Sequence, residues 1–333
     1  MEHLHVMYAA DENYAPFLGV SVFSLLENNR DIEKITIYAV LDRVSDDNKS
    51  RLTKMVDSFG RRLVIVNAVE FNKTLKELGV PKYRGSYTTH FRKFFHLFMG
   101  DEVKRFLYID SDSIVPGNLK PLLDLDMGDC VGAVVLDALA NKYKLLLGFR
   151  PGETYFNAGV TLIDVDNWKA NRCTERLIEH ITTKRAAYCN PDQDLFNILL
   201  RGKTMVIPCQ YNFVPVHRAY SDRAYAKNYG FENYYSREDV VYARENPAII
   251  HAYRFLGEFP WHKGNLHPDT PLFDEYLRRS PWADYEKKPS GVGFVFRCEK
   301  MLYRILPRDW FLTIFRIITD RMTYRKEMKL RKS

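Results

Sequence analysis

An α/β fold built on a mostly parallel sheet and followed by a basic helical tail is what this sequence predicts. Three observations point to it. Segments of strand composition alternate with amphipathic helical segments along the first part of the chain. One apolar run, Phe106-Leu107-Tyr108-Ile109, ends abruptly in Asp110-Ser111-Asp112. Residues 291–333 hold seven Arg and four Lys against four acids.

The first strand spans residues 4–9. Pro16 then opens a helix with Phe17, Val20, Leu25 and Leu26 on its apolar side. Residues 35–41 form a second strand. Ser45 caps a helix in which Leu52, Met55, Val56 and Phe59 recur at helical spacing, and Gly60 ends it. A third strand covers 62–69, and a helix covers 89–99. Further strands are expected at 131–136 and 157–163, with a short last one at 248–252. A helix begins near Asp192 and ends at 196–200. Residues 210–247, rich in Tyr, Arg and Asn, show no clear period. Lys287-Lys288-Pro289-Ser290-Gly291 reads as a linker. It divides the chain into a domain over 1–286 and a tail over 291–333.

Within the tail, Phe294, Met301, Leu302, Ile305, Trp310, Phe311, Ile314, Phe315, Ile317 and Ile318 alternate with basic residues. Pro307 breaks the segment into two helices, the second starting near Asp309. Basic amphipathic helices of this kind lie on anionic membrane surfaces. The competing reading is that the apolar faces pack on the body.

The 333 residues are 46% hydrophobic and 14% aromatic, enough for a sizeable core. The net charge of +7 lies wholly in the tail, leaving 38 residues of each sign in 1–290. The body therefore has no electrostatic support for nucleic-acid binding. Five scattered cysteines without a C-x-x-C pair argue against a disulfide framework or a zinc site. The N-terminus lacks a signal-peptide pattern, and no apolar run is long enough to span a bilayer.

Asp-x-Asp occurs at 110/112, 124/126, 164/166 and 192/194. At least two of these should be solvated loop carboxylates or helix caps, and 124/126 is expected on the surface. The 110/112 pair stands out because a buried-type strand delivers it to a sheet edge, where open α/β sheets bind ligands. Two carboxylates there suit a divalent cation bridging the protein to phosphate oxygens.

Six motifs follow in order. They are Tyr8-Ala9-Ala10-Asp11-Glu12-Asn13-Tyr14, Ser86-Tyr87-Thr88-Thr89-His90-Phe91-Arg92, Leu107-Tyr108-Ile109-Asp110-Ser111-Asp112, Tyr155-Phe156-Asn157-Ala158-Gly159-Val160, Asp192-Gln193-Asp194 and Ile249-Ile250-His251. Over roughly residues 3–263 the chain resembles the family 8 retaining glycosyltransferases, especially bacterial galactosyl- and glucosyltransferases of lipopolysaccharide and lipooligosaccharide outer cores. The resemblance implies a GT-A Rossmann-like nucleotide-sugar-binding fold. It also implies UDP-galactose or UDP-glucose as donor, and Mn²⁺ as the metal with Mg²⁺ as the alternative.

Carried over by position, Asp110, Asp112 and His251 hold the metal. Ala9, Ala10, Asp11 and Asn13 line the uridine pocket, while Arg92 and Ser111 contact the donor. Asp137, Asn157, Asp192 and Gln193 match sugar-pocket positions, with Asp192 and Gln193 as the catalytic pair. Taken without the family, His251 reads as a core histidine, Asp11 and Asp192 as helix caps, and Arg92 as a solvated helix arginine.

The family's closing motif has a glycine for close backbone approach and a lysine for the diphosphate. Here Gly257 comes two residues late and Phe259 stands in the lysine's place, leaving Lys263 or Arg254 to supply the charge. The expected function is hexosyl transfer to a lipid-linked or oligosaccharide acceptor in surface-glycan synthesis, at the inner face of the plasma membrane. The rival classes are a non-catalytic nucleotide-sugar-binding protein and a metal-dependent phosphohydrolase.

Overall fold

In the computed structural model, residues 3–331 are described, apart from 81, 83–84, 138–140, 185–187 and 225–233. Nine strands are found among them: β1 His3–Asp11, β2 Lys34–Asp42, β3 Arg62–Asn67, β4 Arg105–Ile109, β5 Ser113–Ile114, β6 Gly132–Leu136, β7 Phe156–Asp164, β8 Thr204–Val206 and β9 Ile250–His251. Seven form one sheet in the order β3-β2-β1-β4-β7-β6-β8, and β5 pairs with β9 apart from it. The β1–β2, β2–β3, β1–β4 and β6–β8 pairings are parallel, while β7 runs antiparallel to both β4 and β6. The sheet is thus mostly parallel, as expected.

Strand period two divides the core. Leu4, Val6, Tyr8 and Ala10 of β1 face one buried cluster, and Met7 and Ala9 face the other. On the first face lies the helix Ala15–Asn28, which is buried around most of its circumference rather than along one stripe. Gly19 makes that possible, because a Cβ there would collide with the Trp282 ring. Trp282 in turn donates from Nε1 to Asn48 Oδ1 at 2.7 Å. The next helix, Asp46–Ser58, begins at the expected cap: Ser45 Oγ accepts the Asn48 N–H.

Three elements differ from their sequence-based bounds. The third strand stops at Asn67, whose Oδ1 accepts the Val69 N–H and turns the chain into the helix Val69–Glu77. The expected 89–99 helix is a 3₁₀ segment, Thr88–Leu97, broken at Phe94. There six successive residues, His90–Phe95, are buried, so packing on all sides overrides α periodicity. The last strand shrinks to Ile250–His251.

After Pro307 the tail continues as a second helix, so its two helices are Phe294–Ile305 and Arg308–Leu330. Their inner face joins the body: Tyr303, Phe311 and Leu312 are buried in the cluster that contains Leu4 and Val6. Their outer face is bare, with Phe294, Ile305, Trp310 and Met322 all more than 60% exposed. The linker is pinned as well. Lys288 O accepts the Lys263 N–H at 2.9 Å, and Ser290 Oγ donates to Glu258 Oε1 at 2.8 Å. Among the described residues, no helix is long and apolar enough to cross a membrane.

The second cluster holds an unexpected charge. Lys93 is fully buried, with Nζ 5.6 Å from the centre of the Phe196 ring and without a hydrogen-bond partner among the described residues. Burial pushes its ammonium down to about 7, with Arg92 acting in the same direction and Asp192 opposing it. Between that value and the ordinary 10.5, the unfolded chain binds the proton and the folded chain does not. Stability contributed by this site therefore rises with pH across that window. Lys93→Met should raise the Tm most near pH 7 and below, and its advantage over the parent should narrow as pH rises towards 10. A Tm difference that stays constant across that range would show that Lys93 titrates normally.

Candidate functional site

Strands β1, β4 and β6 point the same way and β7 returns between β4 and β6. Asp11, Asp110 and Asp137 therefore leave their strands on the edge where Asn157 enters β7. The Asp110 N–H donates to Gly159 O at 2.7 Å, extending the β4–β7 ladder by one residue. A cleft of about 670 Å³ opens over this edge.

Asp110, Asp112 and His251 come together on one wall, with one ligand atom from each lying within 4.8 Å of the others. His251 Nε2 is 3.3 Å from Asp112 Oδ1 and 3.6 Å from Asp110 Oδ2. Its Nδ1 is 3.1 Å from Asn212 Oδ1; with the proton on Nδ1, the Nε2 lone pair faces the carboxylates. Asp110 also accepts the Tyr108 hydroxyl at 2.7 Å. Burial raises the Asp110 carboxyl above its ordinary range, with Arg92 and His251 opposing. Burial alone would lower His251, but Asp112 and Asp110 outweigh it and raise its pKa. The cluster thus attracts a proton where a cation could sit. Two carboxylate oxygens and one imidazole nitrogen suit Mn²⁺ well.

On the opposite wall, Asp192 and Gln193 lie in the first turn of the helix Pro191–Leu199. Gln193 Oε1 accepts the Ala158 N–H at 3.2 Å, and its Nε2 donates to Asp137 Oδ2 at 2.9 Å and Tyr155 Oη at 3.3 Å. Asn157 Nδ2 reaches the same Asp137 oxygen at 3.2 Å, and Asn157 Oδ1 accepts from Asn212 at 3.0 Å. Hydrogen bonds thus connect His251 to Gln193 through Asn212, Asn157 and Asp137.

Arg92 lies beneath both walls and is 2% exposed. Its Nη2 donates to Asp192 Oδ2 at 2.5 Å and is 3.8 Å from Asp110 Oδ1. Nη1 donates to Ala158 O, and the guanidinium stacks 4.1 Å from the centre of the Tyr108 ring. Burial works against its charge, but Tyr108 and the three surrounding aspartates outweigh this and raise its pKa. At Asp192 burial pushes the carboxyl up, yet Arg92 and Lys93 hold it below its ordinary value. The structure therefore places Arg92 in a buried ion-pair fork, not on a solvated helix face.

Ala9, Ala10, Asp11 and Asn13 line the end of the cleft at the exit of β1. Asp11 Oδ1 also accepts the Tyr14 N–H and so closes a turn ahead of the helix Ala15–Asn28, but it does not cap that helix, whose N-cap is Tyr14 without a side-chain cap. Ser111 lines the cleft and fixes the exit of β1, its Oγ donating to Ala9 O at 2.8 Å. Two sequence-predicted residues are not brought in. Gly257, at φ +79°, packs against the Phe296 ring of the tail, and Lys263 is exposed beside the linker. Arg254 and Phe259 line the cleft instead, the guanidinium 5.2 Å from the centre of the Phe259 ring. Asn212 and Tyr253 escaped the sequence reading. Tyr253 carried no signal beyond its place two residues after His251, and Asn212 lay in a stretch without a period. The 124/126 and 164/166 Asp-x-Asp pairs are bland. Asp164 caps a short helix, and Asp124 and Asp126 are exposed.

Gly159 is the residue on which the geometry of the Asp110, Asp112 and His251 cluster turns. A Cβ there would overlap the His251 imidazole and come within 2.9 Å of Asp110 Oδ2. Gly159→Ala should weaken Mn²⁺ binding by about 10- to 100-fold, read by titration calorimetry, with an unchanged far-ultraviolet circular dichroism spectrum. Undiminished affinity would remove these three side chains from the metal centre.

Comparison with known proteins agrees with this geometry. The glycosyl transferase family 8 profile matches residues 5–264. The chain is 30% identical over 317 residues to a lipopolysaccharide 1,2-glucosyltransferase of Escherichia coli K12, covering 94% of this chain and 88% of that one. It is 23% identical over 290 residues to a lipopolysaccharide 1,3-galactosyltransferase of Salmonella typhimurium LT2, covering 85% and 80%. Among solved structures, the galactosyltransferase LgtC in complex with donor and acceptor sugar analogs superposes with a TM-score of 0.64 at 24% identity, over 89% of this chain and 99% of that one. The bifunctional glycosyltransferase WbbM superposes with a TM-score of 0.70 at 20% identity, over 84% of this chain and half of the larger one. These likenesses identify the fold as GT-A, and on the profile match and the E. coli relative the chain belongs to glycosyltransferase family 8.

Proposed function

We propose that this hexosyltransferase moves galactose or glucose from a UDP-sugar to a glycan acceptor, with retention of configuration, using Mn²⁺. The observation that carries the reading is one cleft with Asp110, Asp112 and His251 on one wall and Asp192 and Gln193 on the other. A divalent cation held by the first three would offset negative charge on the diphosphate. Asp192, kept ionised by Arg92, accepts hydrogen bonds from donor-sugar hydroxyls. Gln193 is fixed by three hydrogen bonds, and its carbonyl oxygen stabilises positive charge developing on the anomeric carbon. The acceptor oxygen bonds to that carbon as the bond to UDP breaks, and the hydroxyl proton passes to the departing phosphate oxygen. Arg254 takes the role of the lysine that Phe259 replaces.

The test is UDP release from UDP-galactose and UDP-glucose, with Mn²⁺ and with excess chelator. Turnover should require the metal. Arg254→Gln should raise the donor KM, Lys263→Ala should leave it unchanged, and Gln193→Ala should lower kcat far more than it raises KM. Full activity in chelator would overturn the metal reading. No UDP release from either donor would favour a binding protein.

Residues 291–333 would seat the enzyme on the anionic inner face of the plasma membrane, near lipid-linked acceptors. The bare outer face of the two tail helices, with Ile305, Trp310 and Ile318 among basic side chains, supports this. Binding to vesicles containing anionic lipid should weaken with salt, because exposed charges are screened over about 8–10 Å at ordinary ionic strength. Replacing Trp310 and Ile318 with Glu should abolish it at unchanged Tm. Vesicle binding by that variant equal to the parent's would assign these helices another role.

A further inference from the structure

The second tail helix makes one contact that a surface anchor would not need. Glu327 lies near its end and is fully buried. Its Oε2 accepts the Cys189 N–H at 3.1 Å. The preceding residue, Lys326, donates from Nζ to Cys189 O at 3.0 Å. One peptide segment is therefore held on both sides by adjacent residues of a distant helix. Burying a carboxylate is costly unless it is hydrogen-bonded, and nothing about lying on a membrane would favour it.

Three and four residues after Cys189 come Asp192 and Gln193. The intervening turn is tied to Asp194, which is itself fully buried. Asn190 N–H donates to Asp194 Oδ2 at 2.9 Å, and the Tyr143 and Tyr155 hydroxyls each donate to Asp194 at 2.5 Å. Tyr155 Oη also accepts from Gln193. The helix Asn141–Leu146, which carries Tyr143, packs on the tail helix, with Lys142 Nζ 5.8 Å from the centre of the Tyr324 ring. Both chain segments flanking the sugar wall thus rest on the tail.

We infer that the C-terminal helix is a positioning element for the transfer reaction: Lys326 and Glu327 fix the Cys189 segment and thereby the turn that presents Asp192 and Gln193 to the donor sugar. The inference rests on the glycosyltransferase reading above. Small displacements of groups that meet a transition state cost rate more than binding, because the donor is also held through its nucleotide and diphosphate.

The test uses the full chain and UDP release with Mn²⁺ from whichever of UDP-galactose and UDP-glucose is turned over. Lys326→Met changes an exposed residue and should leave the fold intact. It should lower kcat on the order of tenfold while the donor KM stays within about twofold. Glu327→Ala should do the same or more. Glu327→Gln keeps an acceptor for the Cys189 N–H and should recover most of the rate. Amide hydrogen exchange over 189–194 should quicken in Lys326→Met and Glu327→Ala but not in Glu327→Gln. An unchanged kcat in Lys326→Met with quickened exchange would overturn the proposal, and so would unchanged exchange. If the parent protein releases no UDP from either donor, the glycosyltransferase reading fails instead, and the exchange pattern still decides whether the tail holds this turn.

Discussion

Two negative centres have to coexist in one cleft, and a single buried guanidinium permits it. Asp110 and Asp112 stand on one wall with His251, while Asp192 stands on the other with Gln193. Arg92 sits beneath them, bonded to Asp192 and within ion-pair distance of Asp110. Without it, burial would tend to protonate Asp192 and the two walls would repel each other. With it, Asp192 remains an acceptor and the walls are drawn to a common centre. Its bond to Ala158 O adds a third fixed point, on the strand that runs between the walls.

Neutral groups complete that arrangement. Each side-chain amide between His251 and Gln193 uses one end towards His251 and the other towards Gln193. An amide with both ends engaged resists reorientation, so the atoms that line the cleft are held in place. Such preorganisation is where glycosyl transfer gains most, because the developing charge then meets dipoles that need no rearrangement.

Much of this was legible in the sequence because it rests on short-range patterns. The strand ending at Ile109, the cap at Ser45 and the break at Pro307 all follow from local chemistry. Asp110, Asp112 and His251 could be read because motif order and family resemblance brought together residues far apart in the chain. What could not be read depends on packing. The segment around Arg92 looked like an ordinary amphipathic helix, and nothing local shows that Arg92 and Lys93 are both buried. Asn212 sits in a stretch without a period, and its role exists only because β9 lies beside it. Gly257 and Lys263 fall off the family's spacing, and the longer loop carries them to the tail and the linker. The tail's sequence admits both an anchor and a packed element, and its helices have an inner face buried on the body and an outer face left bare.

The contact between Gly19 and Trp282 has a bearing on how the chain is made. The helix Ala15–Asn28 leaves the ribosome more than two hundred residues before the ring that covers its glycine face. Until then that face stays wet, and β1 and β2 beside it are only half covered. Domains assemble during synthesis as their parts become available. Here the β1–helix–β2 unit has to wait, holding apolar surface in reserve, and nascent chains that stop short of Trp282 should be the ones most in need of a chaperone.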